Sequence, residues 1–340
     1  MYILYTIVVL ESRGVTPNQL RTNTVEFLYN PSSGDTRDHD RFKRERESVE
    51  ERLREQGFVF PVRFSPTRSL TDTRDRVHAA SEEDRGLLIV KGGDGTLSDV
   101  AHNIARIKDP EKRPHILSIG GGTENVFQNT VTSDNRRYPV GIFEENFVHG
   151  RPKAVDVGEF IMDDVAYPFL TNAGIGKDAH TLHEWEQLEK GRPRKRKSEL
   201  FKLYQKHKGG YAPHTFDVSG SRREQDVEMQ VEDALSLLFI NAGYYGGKFH
   251  ITDSQLGDGQ LDMVGLHTNV KSLLQLGRIL FKGPSSNLVT RGIIDQATVR
   301  THDPHPQYFQ HDGETEMVTS DTLHVGVIPQ SVTVWVGRHV

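Results

Sequence analysis

A chain of 340 residues is long enough for two domains of ordinary size, and a 35% hydrophobic content can fill two cores. A formal charge of −5 speaks against a general nucleic-acid binder, which carries a basic excess, so no nucleic-acid partner is expected. With no cysteine, disulfides, thiolate metal sites and cysteine nucleophiles are excluded, which fits a reducing compartment.

The first apolar run, MYILYTIVVL at residues 1–10, has no basic flank and no small-residue cleavage site. It is also far shorter than the ~20 residues that span a bilayer. It reads as an extra strand, with a membrane-dipping segment as the alternative, and residues 1–22 form an N-terminal extension. No transmembrane segment is expected, and the protein should be cytoplasmic, touching at most the inner membrane surface.

Residues 24–29 read as a buried strand ending in Asn30-Pro31-Ser32-Ser33-Gly34. Residues 38–56 are charged, with Phe42, Val49 and Leu53 spaced to share one helix face, and Gly57 ends that helix. A second strand follows at 58–64, a second helix at 71–80 and a third strand at 86–90. Leu97, Val100, Ala101, Ile104 and Ile107 recur at helical spacing, and residues 116–119 supply another strand. Strands alternating with helices over residues 23–150 predict an α/β domain with a doubly wound parallel sheet. Ligands of such sheets bind at the carboxyl ends of the strands.

Beyond residue 150 the pattern changes. Runs at 154–160, 165–172, 235–241, 261–267 and 297–301 are short and separated by turns, and one helical stretch, 270–281, interrupts them. Residues 151–318 therefore read as a mostly β second domain. The runs at 323–327 and 331–336, within a closing segment 319–340, complete it or return to the first domain.

The chemistry is concentrated at Lys91-Gly92-Gly93-Asp94-Gly95-Thr96, which follows the apolar Leu87-Leu88-Ile89-Val90 and leads into the helical pattern that begins at Leu97. Glycines let a backbone turn tightly and bring its N–H groups close to an anion, and a following helix start adds unpaired donors. Asp94 sets this loop apart from the dinucleotide fingerprint. A carboxylate facing a polyphosphate is repelled unless a cation lies between them, so the loop points to a magnesium nucleotide. A plain turn carboxylate is the alternative. The loops at Asn30 and at Gly120-Gly121-Gly122-Thr123 fall at the same edge of the predicted sheet and complete a nucleotide cleft.

Read in order, Asn30-Pro31-Ser32-Ser33-Gly34, Gly92-Gly93-Asp94-Gly95-Thr96-Leu97, Gly122-Thr123-Glu124-Asn125, Asn172-Ala173-Gly174-Ile175-Gly176-Lys177-Asp178, Asn241-Ala242-Gly243 with Leu256-Gly257-Asp258-Gly259-Gln260-Leu261-Asp262, and His311-Asp312-Gly313-Glu314 form an ordered series. The series resembles the diacylglycerol kinase catalytic-domain superfamily, which includes bacterial lipid kinases, sphingosine kinases and ceramide kinases. The resemblance runs from about residue 24 to 336. It departs from the family pattern at Ser98-Asp99, at Glu124, where a small residue is usual, and at Val126, where bacterial enzymes carry Asp.

The resemblance implies an NAD kinase/diacylglycerol kinase-like fold and ATP- and Mg2+-dependent transfer of a γ-phosphoryl group to a lipid hydroxyl, diacylglycerol first. Donor phosphates would lie along Gly92, Gly93 and Gly95 with Thr96 as a further donor, and Asp94 would hold magnesium. Asn30 and Ser33 would contact the nucleotide, while Gly122, Thr123 and Asn125 close its cleft. Asp312 would serve as catalytic base across the cleft from the donor loop, with Glu314 orienting it or helping to hold metal. Asp258, with Gln255 and Gln260 contributing carbonyls, would hold a second, structural magnesium. Asp178 falls where sphingosine kinases contact the lipid head group. For each of these a blander role stays open: turns and helix caps for Asn30, Ser33 and Asp178, and Asp-Gly hairpin turns for Asp258 and Asp312.

A zinc site among His302, His305 and His311 is disfavoured, because Pro304 and Pro306 make the segment irregular and no helical two-His spacing occurs. The basic run Arg192-Pro193-Arg194-Lys195-Arg196-Lys197, continued by Lys202, Lys206 and Lys208, would suit an anionic membrane surface carrying the lipid acceptor, and equally a solvated loop. The resemblance also allows a homodimer. NAD kinase is the second enzyme reading, against which stands the Gly120–Asn125 segment. A catalytically silent nucleotide- or lipid-binding regulator, prompted by Glu124, is the third.

Overall fold

The computed structural model describes residues 25–33, 39–55, 62–122, 125–132, 142–189, 203, 212–245, 249–250, 252, 254–267, 289–302, 307–338 and 340. The expectations for residues 1–10, the helix at 270–281, the basic run from Arg192 to Lys208, and Thr123, Glu124 and His305 lie outside these residues. The chain divides into two compact units, residues 1–157 with 330–340, and residues 158–329.

In the first unit, β1 (Val25–Tyr29), α1 (His39–Glu55), β2 (Arg63–Pro66), α2 (Leu70–Glu82), β3 (Leu87–Gly92), α3 (Asp94–Ala105) and β4 (His115–Gly120) follow one another. The strands are parallel in the order β2-β1-β3-β4. Strand alternation sends Val25, Phe27, Leu87, Ile89, Leu117 and Ile119 into one cluster with Phe42, Val49 and Leu53 of α1. Those three α1 residues are the ones whose spacing marks a helix face in the sequence. Helix α2 starts where the Ser69 hydroxyl accepts the Asp72 N–H at 3.1 Å, an N-cap that satisfies one orphan donor. The short α4 (Val126–Val131) and a π-helical turn, Phe143–Val148, complete the unit, and Phe147 and Trp335 of the closing strand pack edge-to-face at 4.9 Å.

The second unit is mostly antiparallel. The segment β5 (Arg151–Met162) enters it at Gly158 and pairs with β6 (Val165–Phe169), followed by β7 (Asn172–Gly176) and α5 (Lys177–Glu189). A long hairpin, β8 (His214–Arg222) and β9 (Gln225–Ile240), turns at Arg223 and Glu224, both at positive φ, a two-residue geometry matched to strand twist. The two-residue pair β10 (Tyr244–Tyr245) and β11 (Phe249–His250) precedes β12 (Leu261–His267), which lies between β9 and β13 (Val289–Ile294). After β14 (Gln296–Thr301), the hairpin β15 (Tyr308–His311) and β16 (Glu314–Met317) adds to β7. The last strand, β17 (Thr322–Val336), pairs with β14 in this unit through Thr322–Gly326, whereas its Val334 pairs with Ile116 in the first unit. Phe160, Phe169, Phe216, Phe239 and Phe309 fill the core between these strands. No described helix is long and apolar enough to cross a membrane.

Candidate functional site

Parallel register brings three loop starts level: Tyr29 lies beside Lys91, Lys91 beside Ile119, and Gly92 beside Gly120. The loops that leave these strand ends are tied to one another. The Asn30 N–H donates to the Lys91 carbonyl at 3.0 Å and the Gly121 N–H to the Gly92 carbonyl at 2.8 Å. The Asn30 amide donates to the Thr96 hydroxyl at 3.0 Å, leaving that oxygen its own proton to give, while the Ser33 hydroxyl donates to the Asn30 carbonyl at 2.9 Å. A Cβ on Gly122 would fall 2.6 Å from the Gly93 Cα, so only glycine lets these two backbones touch. Asn125 adopts the left-handed conformation and locks the third loop, accepting from the Gly122 N–H at 2.8 Å and donating to its carbonyl at 3.0 Å.

Helix α3 begins at Asp94 rather than Leu97, with Gly93 as its N-cap, so the glycine loop is itself the helix's first turn. The Asp94 carboxylate reaches α4, where Oδ2 accepts the Val126 N–H at 2.8 Å and Oδ1 the Phe127 N–H at 3.1 Å. Asp94 thus caps a second helix while carrying negative charge at the glycine loop. Asn30, Ser33, Gly92, Gly93, Asp94, Gly95, Thr96, Gly122 and Asn125 are all brought to this edge.

In the second unit, Asp312 and Gly313 form the two-residue turn of the β15–β16 hairpin with φ of 47° and 88°. The hairpin-turn reading of Asp-Gly describes this backbone. The Asp312 side chain does more: Oδ2 accepts the Leu170 N–H at 2.7 Å, and Oδ1 accepts the N–H groups of Thr171 and Asn172 at 2.9 and 3.0 Å together with the Thr171 hydroxyl. The Asp312 N–H in turn donates to the Asn172 carbonyl at 2.9 Å. This receiving segment, 170–172, is absent from the sequence-based role assignments, and no local signal could place it, because the contact spans about 140 positions. Glu314 is exposed at the start of β16. Asp178 is buried in the first turn of α5, where its N–H donates to the Ser236 hydroxyl at 3.2 Å.

The Asp258 loop turns at Gly257 and Gly259, both at positive φ, and Asp258 Oδ1 accepts the Gln260 N–H at 3.0 Å. Gln255, Asp258 and Gln260 line a cavity of about 490 Å³ together with Arg222, Asp262 and Arg291. Among the described residues, no group of three His, Asp or Glu side chains is gathered for a metal. A cation at Asp258 would therefore be held by fewer than three acidic side chains together with backbone carbonyls, an all-oxygen set suited to Mg2+ or Ca2+. His302 bonds Asp217 at 2.5 Å and the buried His311 bonds the Pro168 carbonyl at 3.0 Å, so these two histidines are engaged apart from one another.

Residues 24–160 match the family model described as the diacylglycerol kinase catalytic domain. The chain is 25% identical over 272 residues to a diacylglycerol kinase of Bacillus subtilis, covering 77% of this chain and 80% of that one. It is 26% identical over 299 residues to a diacylglycerol kinase of Staphylococcus saprophyticus, covering 87% and 85%. In three dimensions it is similar to the crystal structure of a diacylglycerol kinase from Bacillus anthracis, with a TM-score of 0.63 at 19% identity, covering 94% of this chain and 99% of that one.

Proposed function

Because the chain belongs to the diacylglycerol kinase catalytic-domain superfamily, a family of phosphotransferases with an alcohol as acceptor, we propose that it transfers the γ-phosphoryl group of ATP to a lipid hydroxyl, with diacylglycerol as the first acceptor. The observation that carries this reading is the junction of three loops at one sheet edge, tied by Asn30–Thr96, Gly121–Gly92 and Asp94–Val126. Phosphoryl transfer leaves a protein mainly positioning and charge neutralisation to perform. Gly92, Gly93 and Gly95 let backbone N–H groups approach the donor phosphates, and the Thr96 hydroxyl adds a donor. Asn30 and Ser33 border the nucleotide from one side, Gly122, Thr123 and Asn125 from the other.

Magnesium bound with the nucleotide would neutralise phosphate charge as it develops. The donor set fits that ion, since Mg2+ is usually held by one or two carboxylates plus substrate phosphates, and Asp94 puts one carboxylate at the loop. Asp94 keeps α4 and the loop before it in place through its two N–H acceptors, so its charge is fixed rather than mobile. A second Mg2+ would rest on Asp258 with the carbonyls of Gln255 and Gln260 and stiffen that loop. Asp312 is the proposed base for the acceptor hydroxyl, Glu314 its companion, and Asp178 a contact for the acceptor head group. The acceptor would be drawn from a membrane surface, consistent with a cytoplasmic protein held peripherally at the inner leaflet.

The test is incubation of the chain with labelled Mg-ATP and, separately, diacylglycerol, sphingosine, ceramide and NAD, beside the Asp94→Asn and Asp312→Ala variants. Label on diacylglycerol that both substitutions abolish is the expected result. Label on NAD alone, or nucleotide binding without any product, would replace this reading with the NAD kinase or the silent regulator.

A further inference from the structure

Lys91 is an unusual residue for the end of a central parallel strand: its side chain is 1% exposed, among the largest fully buried side chains of the molecule. Its Nζ lies 2.7 Å from Glu45 Oε2 in the middle of α1, and that glutamate is itself 13% exposed. Removing two charges from water is costly, and a well-packed apolar pair often serves stability as well or better. Stability alone is therefore a weak reason for a buried pair at this place.

Its place is informative. Lys91 directly precedes Gly92, and its carbonyl accepts the Asn30 N–H, so the residue joins the first two loops of the candidate nucleotide site. Glu45 belongs to the helix that follows the Asn30 loop. On the same helix Phe42 packs on Tyr29, ring centroids 4.6 Å apart, and the neighbouring Arg46 guanidinium lies 4.7 Å from the Phe64 ring on β2. Apolar and cation–π contacts tolerate sliding of α1 along the sheet, whereas a charge pair shielded from water has one optimal geometry.

We infer that the Lys91–Glu45 ion pair is a positioning device that sets the height of α1, and with it the Asn30 loop, against the glycine loop that receives the nucleotide phosphates. This inference rests on the proposed nucleotide site. Lys91 and Glu45 act through the loops and are not assigned contact with the ligand.

The test uses the full chain, Mg-ATP as probe in calorimetry, and thermal unfolding of the wild type, Lys91→Met, Glu45→Met and the double variant. Each single substitution breaks the ion pair and should lower the melting temperature. The double variant should recover that melting temperature, because an apolar pair fills the same space, yet it should still bind Mg-ATP at least ~10-fold more weakly than wild type, a loss of about 1.4 kcal/mol. A double variant that regains both melting temperature and wild-type affinity would make the pair a stability element only and overturn the inference. So would a Lys91→Met protein that binds Mg-ATP as the wild type does. Wild-type protein that takes up no nucleotide overturns the functional reading itself, and the baseline measurement tells that failure from the others.

Discussion

The Asp94 carboxylate and the Val126 N–H, separated by 32 positions, meet at 2.8 Å, and Phe127 adds a second bond to the other carboxylate oxygen. One acidic residue therefore links the first turn of α3 to the first turn of α4. The loop between β4 and α4 is held at both ends, by this bond and by the Asn125–Gly122 pair. A carboxylate at a helix start is favoured by the dipole and by the unpaired N–H groups there. That interaction anchors the charge the proposed chemistry requires.

Asp94→Asn should separate the two roles. An amide offers one acceptor and sets an NH2 group against the other backbone N–H, so folding should weaken by about 1–3 kcal/mol in urea denaturation. Phosphoryl transfer should fall by roughly 10²-fold or more, beyond what the stability loss explains at a temperature where the variant is folded. An unchanged unfolding midpoint would show that the α4 bonds contribute little.

Asp312 invites a paired substitution. Alanine strips the acceptor from three backbone N–H groups and the Thr171 hydroxyl, so it should cost at least about 2 kcal/mol. Asparagine keeps one acceptor and should fold better, yet transfer should still drop by roughly 10²–10⁴-fold if the carboxylate takes the acceptor's proton. Full activity in a folded Asp312→Asn protein would leave Asp312 as a hairpin anchor alone.

Two glycines should respond differently to alanine. At Gly122 the added Cβ would meet the Gly93 Cα at 2.6 Å, backbone against backbone, so the two loops must part and Mg-ATP affinity should fall at least ~10-fold, about 1.4 kcal/mol. At Gly313 nothing lies within 4 Å of the new atom, but φ is +88°. That strain should cost roughly 1–2 kcal/mol of stability with nucleotide binding untouched. Calorimetry and urea melts on both variants read the contrast.

Stability should respond to pH at two places. Burial holds His115 below the ordinary histidine value of 6.5, because taking the ring out of water disfavours its charged form. The unfolded chain then binds the proton more readily, so stability falls as pH drops below 6.5 and the loss levels off below the folded value. Burial opposes ionisation of Asp295, but the Ser221 hydroxyl and the N–H groups of Arg223 and Gln296 outweigh it and lower the pKa below 3.8. Its contribution is present above 3.8 and disappears as pH falls through the lower folded value. Urea midpoints against pH for His115→Phe and Asp295→Asn should each flatten their own part of the curve and leave the other.

In the first unit β1, α1, α2, β3, α3 and β4 are legible because each carries a local signal, such as Phe42, Val49 and Leu53 at helical spacing or the unbroken Leu87-Leu88-Ile89-Val90. The six-residue α4, by contrast, is too short to show a period, and the strand expected at 58–64 is described as Arg63–Pro66. In the second unit the reading of residues 235–241 found only the apolar end of β9. Its first half, from Gln225, alternates exposed and part-buried residues and carries no apolar run. β8 carries no apolar run either, since His214, Phe216 and Val218 are buried singly, separated by the part-buried polar Thr215 and Asp217. Helix α5 buries Lys177, Asp178, Ala179, Thr181 and Trp185 among its described residues, charged and polar side chains together with two apolar ones, so no apolar face marks it in the sequence.

By itself the sequence determined where tight glycine turns join a buried strand to a helix, since such turns are written in adjacent positions. It also determined the ordered blocks that resemble those of the diacylglycerol kinase catalytic-domain superfamily. Only the tertiary structure decided what the acidic residues of those blocks touch: Asp94 on the amides of α4, Asp312 on the segment before β7, Glu45 on Lys91. Those partners are set by strand order and register, which join residues far apart in the chain. A carboxylate's lone pairs leave no trace in local periodicity.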